Sequence, residues 1–408
     1  MDVTELPGLD ELAYASGVLA RVQERAAQIF CARASFISTN GASAALMAAI
    51  AACASHGTHI LLPRNVHRSA VNALVLTGLE PIWYEPTFDS EWNVWGEVDA
   101  QAVEAVLDKA HAKPAAVVVT SPTYAGAISD IGAIARVCHS RGVALIVDEA
   151  HGAHAPNAVA AGADIVVHSL HKTLSAMTQT GMVHVTSDSL VSPDDVRLAL
   201  NMLQSSSPNY VLMASIESAL AEIASGRAVA SAIKIAEDAH RRLRASEVSL
   251  YTSPLHETLH VLLKVPHIAP EQLFSKLADH GVYAESMLGN GVLLLFGCGS
   301  TSHDVDILTN ALEQILSATP SGTNAPPPVS LPADGFGAQV LSPKVAYFGR
   351  TEMVPLADAV GRIAAECVAP CPPGNPVVVP GQRVTAAALE FCKLAVLRVV
   401  LESHKGEQ

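Results

Sequence analysis

Charge is scarce in this chain. Only 16% of its 408 residues are Asp, Glu, Lys or Arg, and aromatic residues make up 4%. The longest apolar run, Ala42 to Ala54, contains a serine and stops after about 13 residues, short of the roughly 20 that span a bilayer. A membrane-spanning helix is excluded on that count. Basic residues are outnumbered, 25 Lys+Arg against 39 Asp+Glu for a net charge of −14, and Arg241-Arg242-Leu243-Arg244 reads as one solvated helix face. Nucleic acid is therefore not an expected partner. The seven cysteines stand singly apart from Cys367 and Cys371, spaced C-x-x-x-C beside prolines, which fits neither a disulfide framework nor a zinc knuckle. A reducing compartment is expected. The first residues, Met1 to Pro7, carry two acids and no targeting pattern, so the cytoplasm is the expected location, or a plastid if a leader precedes this start.

What the chain has in quantity is small apolar residues, half its composition being hydrophobic. Short β-branched runs, His59–Leu62, Pro81–Tyr84, Ala116–Thr120, Val143–Val147, Asp164–His168 and Met182–Val185, alternate with helical patterns at 44–54, 69–77, 100–111 and 131–141. Strands apolar on both faces imply an α/β fold, a mostly parallel, doubly wound sheet covered on both sides. Such sheets bind ligands at the carboxyl ends of their strands. Residues 1–205 are expected to form this major domain, with 206–245 as one long connecting helix and 246–318 as a small α+β domain. The Pro-, Ser- and Gly-rich stretch 319–337 reads as a linker and 338–408 as a C-terminal domain, with a fixed loop at Pro370–Pro376.

Two consecutive strands end in complementary groups. The run Val143–Val147 leads into Asp148-Glu149-Ala150-His151-Gly152-Ala153-His154, and the next leads to Ser169-Leu170-His171-Lys172-Thr173. A carboxylate that keeps a ring nitrogen protonated and a lysine that holds an aldehyde as a Schiff base are what pyridoxal 5'-phosphate chemistry needs. A surface aspartate with a lysine paired to it is the plain alternative, made weaker by the His and Ser neighbours at both strand ends. Asn40-Gly41-Ala42-Ser43, just before an apolar helix, offers backbone N–H groups and a hydroxyl to a phosphate, though Ser43 as a simple N-cap explains it equally well. Ser169 and His171 could add phosphate contacts. His67 could stack on the cofactor ring, or serve as a helix cap.

These residues resemble the fold-type I, pyridoxal-phosphate-dependent ornithine/lysine/arginine decarboxylases in their compact bacterial, cyanobacterial and plant-like form. The resemblance runs through residues 2–10, 64–69 (Arg64-Asn65-Val66-His67-Arg68-Ser69), 121–126, 148–154, 168–173 and 204–210, and the C-terminal Pro-Pro-Gly and Pro-Gly turns. It implies Lys172 as the Schiff-base lysine, Asp148 as partner of the ring nitrogen and His67 stacked on the ring. Ser43, Ser169 and His171 would surround the phosphate, with Ala42, Ala150 and His151 completing the cofactor's surroundings.

The same resemblance implies decarboxylation of a basic L-amino acid, arginine to agmatine first and lysine to cadaverine next. It also implies a homodimer with residues 207–210 near the neighbouring subunit's phosphate. Two departures stand out. Relatives carry an additional N-terminal segment of some tens of residues that approaches the site, so this chain is expected to bind cofactor more weakly than one with that segment restored. Gln382 replaces the acid of the family's Pro-Gly-Glu turn. Two alternatives share the Asp and Lys: another fold-type I enzyme, an aminotransferase or lyase, or an impaired paralogue acting as a non-enzymatic dimer partner.

Overall fold

In the computed structural model, which describes residues 3, 6, 8–155, 158–318 and 335–401, every one of the predicted apolar runs is a strand. The first part of the chain contains β1 (Ala34–Ser38), β2 (His59–Pro63), β3 (Glu80–Tyr84), a small ribbon of β4 (Phe88–Asp89) and β5 (Val94–Trp95), β6 (Ala116–Thr120), β7 (Ala144–Asp148), β8 (Ile165–Ser169) and β9 (Gly181–Val185). Seven of them form one sheet in the order β1-β9-β8-β7-β6-β2-β3. The pairings from β8 to β3 are parallel, and β9 runs antiparallel to both of its neighbours. The edge strand β1 was not anticipated, because Ala-Ser-Phe-Ile-Ser has no apolar run to announce it.

Between the strands lie α1 (Val18–Ile29), α2 (Gly41–Ala52), α3 (Arg68–Thr77), α4 (Ala100–Lys109), α5 (Ile131–Ser140), α6 (Leu170–Thr173) and α7 (Pro193–Leu203). Successive side chains of a strand point to opposite faces, and here that divides the core in two. Ile60, Leu62, Val118 and Ile146 pack with residues of α2, α3 and α7, whereas Leu61, Val117, Val119, Leu145 and Val147 pack with α4 and α5. Each such buried side chain contributes about 1.5–3 kcal/mol. The alanines of α2 serve its enclosed position: Ala45, Ala48 and Ala49 are fully buried, and small side chains let the helix lie close to the sheet and to α7.

The expected single helix over 206–245 is two helices, α8 (Tyr210–Ser225) and α9 (Arg227–Arg244). Helix propensity is high throughout, but Gly226 adopts the left-handed conformation at φ 67° and ends α8 before α9 begins. The next unit is an antiparallel sheet in the order β10-β11-β13-β12, built from β10 (Ser249–Leu250), β11 (His260–Lys264), β12 (Ser286–Leu288) and β13 (Gly291–Leu295). It packs against α9, α10 (Pro270–Asp279) and α11 (Ser302–Ala318) in a core of its own. Residues 335–401 carry α12 (Pro343–Phe348), the antiparallel ribbon of β14 (Thr351–Pro355) and β15 (Val396–Val400), and α13 (Ala386–Leu389). Residues 319–334 of the expected linker lie outside the described residues, as do Asp2, Thr4, Glu5 and Pro7. Among the described residues no helix is long and apolar enough to cross a membrane.

One feature of the sheet predicts acid sensitivity. His184 on β9 is fully buried against the rings of Phe30 and His168, with Nδ1 2.7 Å from Ser35 Oγ, and burial holds its pKa well below the usual 6.5. The unfolded chain accepts a proton there near pH 6.5 and the native ring does not, so stability is lost as pH falls through that value. This one group should cost about 1.4 kcal/mol per pH unit in acid. Urea unfolding of wild type and His184→Gln at about pH 7.5 and about pH 5.5 checks it, the variant being expected to lose less on acidification.

Candidate active site

The carboxyl ends of β6, β7 and β8 open into a cavity of about 1320 Å³. Asn40, Ala42, Ser43, His67, Asp148, Ala150, His151, Ser169, His171 and Lys172 all line it, so every site residue expected from sequence faces one space. Asp148 ends β7, and Lys172 stands on α6, the short turn that follows β8 directly. The parallel pairing of these consecutive strands sets the two residues at neighbouring strand ends.

Burial sets the electrostatics. Asp148 is 5% exposed, and burial pushes its carboxyl above the usual range, against the opposing pull of His67, Lys172 and the Ala150 N–H, which donates to Oδ1 at 3.2 Å. Burial likewise lowers Lys172, with Asp148 acting to hold its proton. Lys172 Nζ lies 2.8 Å from His151 Nε2, and burial followed by the lysine charge presses His151 well below its ordinary value. His67 takes the capping role that was one of the two anticipated for it. It caps α3, Nδ1 accepting the Ser69 N–H at 3.2 Å, and it lines the cavity. Its pKa is lowered, chiefly by burial.

At the other end of the cavity α2 begins at Gly41, so Ser43 is inside the first turn and does not cap the helix. Asn40 holds the cap position with no side-chain cap bond. Ser169 Oγ lies 3.3 Å from His171 Nδ1, which is also 3.2 Å from the Thr180 carbonyl, and burial lowers His171. The remaining acid and distal histidine of the Asp148–His154 loop are structural. Glu149 pairs with His168 at 2.8 Å and accepts the Ala158 N–H, while His154 pairs with Glu257 at 2.9 Å.

Several lining residues were not singled out from sequence. Tyr124, inside the quoted 121–126 segment, donates its hydroxyl to Glu285 at 2.5 Å and sets its ring edge-on to His151. Burial and then that carboxylate raise the Tyr124 phenol well above its usual value. Asn65 and Thr120 also line the cavity, with Oδ1 and Oγ1 buried and unpartnered. Glu91, Glu271 and Met287 come from the β4–β5 ribbon and the small unit, and their patterns gave no signal. The proline loop anticipated at 370–376 closes over α3: the Arg68 N–H donates to the Gly374 carbonyl at 3.0 Å. Gly374 has φ 85°, and a Cβ there would stand 3.1 Å from His67 Cδ2. Gln382 is 1% exposed and does not line the cavity. Ser205 to Ser207 are exposed, and Asn209 caps α8 through the N–H groups of Val211 and Leu212.

A mostly parallel sheet with an aspartate and a lysine at adjacent strand ends, followed by a small antiparallel unit, is the architecture of fold-type I pyridoxal-phosphate enzymes. The chain belongs to the Orn/Lys/Arg decarboxylase family: residues 1–276 match its major domain and 335–400 its C-terminal domain. It is 31% identical to an arginine decarboxylase of Halalkalibacterium halodurans over 96% of this chain and 84% of that protein. Among solved structures it resembles the lysine decarboxylase of Francisella novicida, with a TM-score of 0.82 and 19% identity over 98% of this chain and 74% of that one. An alanine–glyoxylate aminotransferase from Nostoc shares the fold more loosely, with a TM-score of 0.64 and 18% identity over 78% of this chain and 89% of that one.

Proposed function

We propose that this member of the family binds pyridoxal 5'-phosphate in the cavity and decarboxylates L-arginine to agmatine, with lysine to cadaverine as the next substrate. The observation that carries the reading is that Asp148 and Lys172, from adjacent strand ends, share one cavity with His67. The residues present fit the cofactor. Buried Asn65 Oδ1 and Thr120 Oγ1 lack protein partners, and the first turn of α2 has N–H groups with no intrahelical acceptor available to them.

When bound, the cofactor supplies an electron sink for the pair left at the α-carbon as carbon dioxide departs. Lys172 would hold it covalently, and Asp148 would keep the ring nitrogen protonated, an opposite charge that returns the buried carboxyl to its ionised form. His67, with the Gly374 loop behind it, would cover one ring face. The start of α2 with Ser43, Ser169 and His171 would take the phosphate. His151, in hydrogen-bond contact with Lys172 Nζ, is placed to hold or move a proton at that atom. Glu271 lines the cavity beside the Glu91–Lys264 pair, whose charges offset each other at 2.6 Å, and would favour a substrate with a cationic tail. An aminotransferase would be expected to clamp the substrate carboxylate with an arginine, and among the described residues no arginine lines the cavity.

The test is carbon dioxide release from arginine, lysine and ornithine by the purified chain with cofactor. Release fastest from arginine is expected; keto-acid formation without carbon dioxide would sink the proposal. We also propose a homodimer. Tyr14, Leu198, Met202 and Val211 expose large apolar side chains, Met202 at 72%, and covering such groups between two copies would remove them from water. Sedimentation at micromolar concentration should show the dimer, and a stable monomer there would refute it.

A further inference from the structure

His260 lies on β11 of the small unit, yet it contacts His151, which lines the cavity. It is fully buried, and its Nε2 is 3.1 Å from Nδ1 of His151, whose Nε2 is 2.8 Å from Lys172 Nζ. A strand of the small unit, the loop after β7 and the lysine are thus joined by two consecutive hydrogen bonds.

The direction of those bonds follows from proton counting. A neutral imidazole carries one N–H and one lone pair. Burial depresses both rings, His260 to about 3, so neither is charged near neutral pH. Nδ1 of His260 is buried without a partner. A proton on that atom would be an unsatisfied buried donor, whereas on Nε2 it makes a hydrogen bond. His260 therefore donates to His151 Nδ1. His151 must then carry its own proton on Nε2, and Lys172 Nζ must accept it.

The other groups facing His260 do not reverse this order. Glu257 spends its carboxylate on His154 at 2.9 Å, and His256 Nε2 donates to the His260 carbonyl at 3.2 Å rather than to the ring. Facing Lys172, Asp148 and Glu285 favour its charged form in wild type and in His260 variants alike, so a comparison among them isolates the pair of rings.

We propose that His260 is a positioning residue: by donating Nε2–H to His151 it fixes the His151 proton on Nε2, so that Lys172 meets a hydrogen-bond donor and is held as the unprotonated amine, the form that bonds a carbonyl carbon. The proposal rests on the reading of Lys172 as the lysine that holds the cofactor. It deepens that reading by giving the small unit a part in preparing the lysine.

Nuclear magnetic resonance of the cofactor-free full chain labelled with ¹⁵N-histidine reads the tautomers directly, with His151→Gln and His260→Gln used for assignment. Both rings are expected to carry the proton on Nε2, and a His260 ring protonated on Nδ1 overturns the proposal. A second measurement follows the pH dependence of Lys172 acetylation by acetic anhydride in cofactor-free protein, read by peptide mass spectrometry. His260→Leu should raise the half-reaction pH by about one unit, the scale of one hydrogen bond to a buried amine. His260→Gln, whose amide N–H can occupy the position of Nε2, should leave it near wild type. Leu and Gln variants that acetylate alike at equal thermal stability would show that His260 only fills space. If borohydride reduction of the holoenzyme attached cofactor to another residue, the cofactor reading would fail, while the tautomers and the Lys172 profile would still decide the role of His260.

Discussion

Replacing Lys172 by alanine is expected to lower decarboxylation by roughly 10⁴-fold or more, the scale seen when a covalent catalytic group is removed. The variant should still fold. Lys172 is only partly buried, α6 is a single turn, and alanine is a good helix former, so the sheet and its two cores are untouched. The discriminating measurement is chemical. Borohydride treatment of the wild-type holoenzyme should remove the visible absorption of the bound cofactor and leave it attached to the peptide containing Lys172. The alanine variant should show neither effect. A normal, reducible absorption in that variant would end the assignment.

The second large effect is expected from Asp148→Asn. The substitution keeps the shape and the acceptor for the Ala150 N–H but removes the charge, and a neutral amide does not hold a proton on a ring nitrogen. Turnover should fall by roughly 10²–10³-fold, the loss typical of one electrostatic group aimed at developing charge. Cofactor should still bind through the start of α2 and through Lys172, so the variant separates occupancy from rate. Near-normal turnover at full occupancy would refute the role given to Asp148.

How much of this could be read in advance depended on where the information lay along the chain. The inner strands of the large sheet were legible because they are buried on both faces and so must be written as apolar runs. Asp148 and Lys172 were legible for the same reason, since they interrupt such runs at their carboxyl ends. The edge strand β1 has no second apolar face and left no comparable mark. The break at Gly226 was hidden because one glycine within some thirty helix-forming residues lowers helix propensity only locally, while its left-handed φ is decided by how α8 and α9 pack. His260 was the least visible. It sits inside Leu259-His260-Val261-Leu262-Leu263, where the pattern announces a strand and gives no hint that one side chain meets His151, 109 positions away in sequence. Contacts of that kind are set by the packing of one unit on another, which local periodicity does not encode.

The contact between Gly374 and His67 bears on the order in which the site can be completed during synthesis. The polypeptide emerges from its N-terminus, and domains tend to form as their sequence becomes available. Asp148 and Lys172 are present, with the whole large sheet, once the first two hundred residues are out. The backing of His67 is not, because the carbonyl that receives the Arg68 N–H lies at Gly374, some three hundred residues later. A nascent chain therefore exposes an open strand-end cleft from the completion of the sheet at Val185 until the proline loop is made. The wall over α3 is laid last, by a loop whose glycine, at φ 85°, comes so close that a methyl group there would press on the His67 ring.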